Sequence, residues 1–338
     1  MKLEKHFISQ YNPSVIISRS PLRVSFFGGG SDISWHYRNY GGAVLSTTID
    51  KYVYISAHPL VNDNSILLKY SRIEYEQNVE EIKHPIVRTI LAKRGIKGID
   101  IGVTADVPAG TGMGSSSAFT VGLLQLLDAY ENKATNSQKL ADNACHVEID
   151  LLSEPIGKQD QYASAFGGLN LILFHPNEEV EVIPIFLSGS NRAYLEESLI
   201  LIRVGSTRSA SDLLATQKKS THEDQNKHDF LKDLTKMAIS QAELINTNPE
   251  KIGSSLTEGW NLKKKSAPSA TNSFIDEILS SAISAGAHGG KLLGAGQSGF
   301  LLLHVEAKNQ ARVLQKLDNP AVLPFKFETS GSRIIYAK

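Results

Sequence analysis

A chain of 338 residues with 41% hydrophobic side chains is long enough for two domains. Its 35 basic and 35 acidic side chains balance, which excludes a surface built throughout for DNA or RNA but leaves room for a local basic pocket. The lone Cys145 excludes an intrachain disulfide framework and any zinc site needing paired cysteines.

No uninterrupted apolar run reaches the ~18–20 residues of a membrane span. The opening residues MKLEKHFISQYNPS lack the apolar stretch of a secretory leader. The expectation is a cytoplasmic globular protein with neither nucleic-acid nor membrane partners.

From Val15 the pattern predicts strands: VIISR, then PLRVSFF running into Gly28, Gly29 and Gly30, then AVLSTTI and KYVYISAH. Helical spacing follows over 80–94, with Pro85 near its start. In GIDIGVTADVP the alternation of Ile99, Ile101 and Val103 is that of a half-buried strand. A glycine-rich turn leads into an apolar helix over 117–130. A second helix is predicted over 137–152, then a loop SEPIGKQDQ and a strand in GGLNLILFHP.

A second unit opens with the strand LILIRVG. Helices are predicted over about 216–244, around Trp260 and near 307–317. HGGKLLGAGQSGFLLLHV reads as two strands about a glycine turn, and final strands are expected at 324–328 and 333–337. This order resembles a split βαβ sheet. The predicted class is α+β, with two domains and a cleft between them.

The stretch richest in chemistry is PAGTGMGSSSA, Pro108 to Ala118, at a strand–helix junction. Gly110, Gly112 and Gly114 let backbone approach a ligand and turn N–H groups inward. Ser115, Ser116 and Ser117 then fall at a helix N-terminus, where free N–H groups and the helix dipole favour an anion. A polyphosphate suits that site. The P-loop pattern fails, since no lysine follows Gly114, and the GxGxxG dinucleotide pattern fails on spacing.

PAGTGMGSSSA resembles the second motif of the GHMP kinases. PLRVSFFGGGSD, Pro21 to Asp32, resembles their first motif, and KLLGAGQSG, Lys291 to Gly299, their third. The order is right and the three motifs span the chain. The resemblance implies an N-terminal domain over 14–190 like domain 2 of ribosomal protein S5. It implies a ferredoxin-like C-terminal domain over 191–338, ATP with Mg²⁺, and leaves a homodimer open.

Carried over by position, Pro108, Gly110, Gly112, Gly114 and Ser115 to Ser117 would hold the nucleotide. Ser116, Ser117 and Glu148 would hold the metal. Asp160, in a GKQDQ run like the GxxDQ of sugar kinases, and Arg23 would be catalytic. Gly294, Ala295 and Gly296 would support the phosphate loop.

FFGGGSD followed by GGAVLSTTIDKYVYIS resembles, within that family, the D-glycero-D-manno-heptose 7-phosphate kinases. These phosphorylate the anomeric hydroxyl to give the 1,7-bisphosphate, toward nucleotide-activated heptose for surface polysaccharide. By this match Asp32, with Gly29, Gly30 and Ser31, would meet the sugar. Ser31 stands where Thr is usual. The substrate's own phosphate needs a cation, with Arg208, Arg72 and Arg88 as candidates, while Lys263, Lys264 and Lys265 read as a solvated helix face. The alternatives are an anomeric kinase for a free sugar such as fucose, and a non-catalytic sugar or nucleotide sensor. A sensor would be expected to have lost Asp160, Glu148 or the serines.

Overall fold

A computed structural model describes residues 15–61, 63–205 and 225–338. The first sheet is built on two long strands, β1 (Ile16–Phe27) and β2 (Gly42–Pro59), antiparallel along their length. Each was read from sequence as two shorter strands. Pro21 does not end β1, because it sits at a register shift between Pro21 and Leu22 where its missing N–H leaves no ladder bond open. Asp50 and Lys51 likewise do not break β2, since they form a half-exposed stretch of it.

On its far side β2 pairs first with β6 (Leu169–Phe174) and then with β5 (Ile99–Ala105). A hairpin, β3 (Ile66–Lys69) and β4 (Ile73–Glu76), adds to β5, and β7 (Val180–Pro184) adds to β6. The sequence reading contained neither the hairpin nor the short helix α1 (Ser34–Tyr40).

The helix expected over 80–94 is a 3₁₀ turn at Val79–Glu81 followed by α2 (Pro85–Arg94). His84 precedes Pro85 and is held extended, so the proline opens a new helix rather than continuing the turn. Helix α3 (Ser115–Tyr130) is buried on nearly every face and lies under β1 and β2. Helix α4 (Ser137–Cys145), capped by the Asn136 side chain, runs into a π-helical turn at His146–Leu151. The predicted loop SEPIGKQDQ ends early, because α5 (Gln159–Phe166) already contains Gln159 and Asp160.

After α6 (Gly189–Ser198) the chain enters β8 (Leu199–Val204). Then follow α7 (Gln225–Leu244), α8 (Ile252–Ser266), α9 (Ser273–Ser284), β9 (Gly289–Leu292), β10 (Gly299–His304), α10 (Ala307–Lys316) and β11 (Val322–Leu323). The second sheet has the order β11-β8-β10-β9, with each pairing antiparallel. That is the split βαβ arrangement. The last two strands depart from it: β12 (Phe327–Glu328) pairs with β2 and β13 (Arg333–Ala337) with β1. The expected strand at 324–328 is therefore displaced, and the fourth strand of the second sheet is the shorter Val322–Leu323.

Alternation along β8 and β10 joins the two units. Leu199, Leu201 and Leu302 enter the core of the first sheet, while Ile200, Ile202, Leu301 and Leu303 face the fully buried Trp260 and α9. None of the helices among the described residues is long and apolar enough to cross a membrane.

Strand β13 covers the free edge of β1 through four register pairs. With each backbone hydrogen bond worth ~0.5–1.5 kcal/mol net, deleting residues 333–338 is expected to lower the thermal midpoint by on the order of 5 °C. A midpoint equal to that of the full chain in differential scanning calorimetry would show that the strand contributes nothing to the first sheet.

Candidate active site

Where β1 ends, Gly28 takes φ +86°, and a Cβ there would lie 1.8 Å from the Ala43 carbonyl oxygen. Only glycine fits that turn. Ser31 is fully buried and closes it, its hydroxyl donating to the Gly28 carbonyl at 2.8 Å and accepting from the Ala43 N–H at 3.1 Å. Ser31 is thus a turn residue among the described contacts, and it does not line the cleft. Its neighbours Gly29, Gly30 and Asp32 do.

The cleft has a volume of about 440 Å³ and lies between the two sheets. It collects Arg23, Gly29, Gly30, Asp32, Gly110, Gly112, Gly114, Ser115, Ser116, Ser117, Glu148, Asp160, Gly294 and Ala295. Pro108, Gly296, Arg72 and Arg88 are not among its walls. Arg72 is exposed beside the β3–β4 turn, and Arg88 donates to the Ile82 carbonyl at 2.6 Å. Arg208 lies outside the described residues. Gly296 packs against the backbone of Ala270 and supports the loop from behind.

Arg23 and Asp160 form a two-pronged pair, Nε to Oδ1 at 2.7 Å and Nη2 to Oδ2 at 2.8 Å. This fork-to-carboxylate geometry fixes both side chains. Nη1 of Arg23 also donates to the Gly112 carbonyl, tying the pair to the glycine loop. A Cβ at Gly114 would begin 3.1 Å from the Asp160 carboxylate, so glycine there lets the loop stand directly against the acid. Gly114 itself adopts φ +71° and caps α3 without a side-chain bond, leaving the first N–H groups of the helix without a capping side chain.

Glu148 projects from the π-helical turn and is 1% exposed. It accepts from Thr120 Oγ1 at 3.0 Å, from Ser116 Oγ at 3.3 Å and from Gln161 Nε2 at 2.6 Å, with a further bond from Ser117. Burial raises its carboxyl from 4.5 to about 7 against the pull of those donors, and the negative charge of Asp160 adds to the rise. The same burial raises Asp32, whose carboxylate accepts from the backbone N–H groups of Gly30 and Gln159 and from Gln159 Nε2.

No cluster of three His, Cys, Asp or Glu side chains able to hold a metal occurs among the described residues. One carboxylate beside two hydroxyls still fits Mg²⁺, which takes hard oxygens and commonly keeps waters and substrate phosphates in its remaining positions. A cation there would also keep Glu148 ionised. The apolar end of the cleft, with His84, Pro85, Ile86, Leu152 and Ile156, offers surface for a planar base.

Two cations in the cleft were not anticipated as site residues. Lys263, read as part of a solvated face, lines it and donates from Nζ to the Gly294 carbonyl at 2.6 Å. Lys264 instead pairs with Asp276, and Lys265 is exposed. The helical period carried the signal, since Lys263 follows the buried Leu256 and Trp260 by seven and three positions. Lys291, 7% exposed, donates to the carbonyls of Ser25 and Phe26, both at 2.9 Å. Gln159, which holds Asp32, was also missed.

Residues 81–168 match the family described as GHMP kinases N terminal domain, and residues 240–319 match GHMP kinases C terminal. The chain is similar to D-glycero-alpha-D-manno-heptose 7-phosphate kinase of Campylobacter jejuni, 27% identical over 333 residues, or 94% of this chain and 97% of that protein. A crystal structure of a D-glycero-D-manno-heptose 1-phosphate kinase from Bacteroides thetaiotaomicron superposes with a TM-score of 0.77 at 26% identity, covering 95% and 99% of the two chains. The bifunctional fucokinase/GDP-fucose pyrophosphorylase of Arabidopsis thaliana is 25% identical over 335 residues, which span 90% of this chain but 31% of that protein.

The raised Glu148 has a consequence for stability without ligand. The folded carboxyl takes up its proton as pH falls through about 7, the unfolded one only near 4.5. Glu148 should therefore oppose folding above pH 7 and progressively cease to do so as the pH drops toward 4.5. In chelator, the wild-type midpoint minus that of Glu148→Gln is expected to rise as the pH is lowered through this window. A difference that does not change with pH would mean the carboxyl titrates alike in both states.

Proposed function

The chain belongs to the GHMP kinases and is a sugar kinase, and on that premise we propose that it transfers the γ-phosphoryl group of ATP to the anomeric hydroxyl of D-glycero-D-manno-heptose 7-phosphate. The product would be the 1,7-bisphosphate, feeding the synthesis of nucleotide-activated heptose in the cytoplasm. The observation that carries this reading is the Arg23–Asp160 pair held against the glycine–serine loop, with Asp32 in the same cleft. The similarity to heptose phosphate kinases supports the choice of sugar.

In this reading the triphosphate lies along Gly110 to Ser117, where backbone N–H groups and the α3 dipole meet its charge. Mg²⁺, held by Glu148 with Ser116 and Ser117, would neutralise charge on the phosphates. Asp160 faces the acceptor hydroxyl and takes its proton as the new O–P bond forms and ADP leaves. Arg23 keeps the carboxylate aimed and offsets charge developing on the transferred group. Phosphoryl transfer demands positioning and electrostatics above all, so this small set of groups suffices. Asp32, anchored by Gln159 and Gly30, is suited to orient sugar hydroxyls.

A free-sugar reading is favoured by one observation: neither Arg72 nor Arg88 lines the cleft, so of the three arginines only Arg208 stays as a candidate for a distal phosphate.

Asp160→Asn is expected to lower kcat by roughly 10²–10⁴-fold while nucleotide affinity stays nearly intact. Near-wild-type turnover by the folded variant would remove Asp160 from the chemistry.

Among sugars and sugar phosphates followed by phosphorus NMR, heptose 7-phosphate is expected to have the highest kcat/KM, with the new phosphate on C1. A charge-assisted contact of ~1.5–3 kcal/mol corresponds to about one to two decades of preference over unphosphorylated heptose. A higher kcat/KM for free heptose or fucose would establish the free-sugar reading instead.

A further inference from the structure

Three cations converge on the cleft, and they differ in how their charge is met. Arg23 is paired with Asp160. Lys263 and Lys291 make no ion pair among the described residues, and each holds only backbone carbonyls. An ammonium group has three N–H donors. Lys263 spends one of them on Gly294 and Lys291 spends two on Ser25 and Phe26, so three donors remain between the two side chains.

A third polar group lies beside them. Ser25, whose carbonyl Lys291 grips, is 5% exposed and lines the same cleft, and its hydroxyl has no hydrogen-bond partner among the described residues. Buried hydroxyls are ordinarily satisfied, so an orphan facing a cleft marks a group waiting for a ligand. The carboxylate of Asp32 accepts from Gly30 and Gln159 and makes no ion pair with either lysine, although its charge and that of Asp160 are felt at Lys263.

We infer that Lys263, Lys291 and Ser25 form a second phosphate-binding site in the cleft, separate from the α3 N-terminus. Its ligand is a phosphate group carrying two negative charges, and two sources have that chemistry. One is the distal phosphate of a sugar-phosphate acceptor; the other is the terminal phosphoryl group of the nucleotide. The inference rests on the kinase reading but on no particular sugar.

The electrostatics favour an anion here. Burial and the Arg23 charge push Lys263 down to about 8 against the opposing pull of Asp32 and Asp160. Burial with the charges of Lys263 and Arg23 pushes Lys291 well below its ordinary range. A dianion between them would reverse both shifts. It would also supply the acceptors that the free N–H and O–H donors lack. Lys263 reaches the glycine loop through Gly294 and Lys291 reaches the end of β1, so the bound anion would bridge the two sheets.

Inorganic phosphate is titrated by calorimetry into the full chain, once alone and once with Mg²⁺ and adenosine 5′-(β,γ-imido)triphosphate at saturation. Wild type is expected to bind phosphate, and Lys263→Met and Lys291→Met to bind it at least tenfold more weakly, with a smaller loss in Ser25→Ala. Binding that survives nucleotide saturation assigns the site to the acceptor's phosphate. Binding abolished by the nucleotide, with variants that lose affinity for the imidotriphosphate but not for ADP, assigns it to the terminal phosphoryl group. Should a methionine variant fail to fold, Lys263→Gln and Ser25→Ala carry the same comparison. No phosphate binding by wild type, or equal binding by all folded variants, overturns the inference. Neither result touches the choice of sugar, which the acceptor panel decides by turnover.

Discussion

Two backbone loops from separate sheets meet where neither has a side chain. A Cβ on Gly112 would lie 2.6 Å from the Leu293 carbonyl oxygen, and one on Gly294 would lie 2.4 Å from the Gly112 Cα. Both glycines also hold positive φ, at +81° and +73°. Their contact brings the second sheet up against the N-terminus of α3. It places the Gly294 carbonyl where Lys263 can reach it and the Gly112 carbonyl where Arg23 can. The walls of the cleft depend on that contact.

A second constraint is electrostatic. The site holds Asp32, Glu148, Arg23 and Lys291 almost entirely out of water beside a half-buried Lys263, and of these only Arg23 is closed in an ion pair, with Asp160. Neutral donors around the carboxylates and backbone carbonyls around the lysines stabilise the remaining charges incompletely, as the raised Glu148 and lowered Lys263 record. Such an arrangement is poor for stability in the absence of ligand and good for binding oppositely charged groups. Hard cations suit the acid end near the serines, and phosphates suit the lysine end near β1. A kinase needs both in one cleft.

The fold serves this site through strand alternation and through its ending. Residues of β8 and β10 divide between two cores, so the two sheets share a packed boundary. Strands β12 and β13 then return to β2 and β1 and lock the chain's end onto the sheet that carries Arg23. The glycine–serine loop is therefore held by elements from both ends of the chain.

Local chemistry was legible in the sequence wherever backbone conformation and residue type act together. The glycine–serine loop could be marked from residue type and spacing, as could the α+β class and the split βαβ order of the second sheet, whereas Asp160, Arg23, Glu148 and Asp32 could be marked only through the resemblance to family motifs. Glycines at positive φ and serines at a helix start are dictated by near neighbours, which is why such stretches can be read without a structure. Ser31 looked like a sugar contact in the motif but closes a turn, because Ala43 lies twelve residues away on the next strand. Arg72 and Arg88 looked like anion ligands, yet a hairpin and a helix carry them out of the cleft. Lys263 and Lys291 are cleft residues only because α8 and β9 are packed beside β1, a contact between segments more than two hundred residues apart. Which charges are buried, and which of them find partners, is set by distant segments meeting in space. Tertiary structure alone decided that.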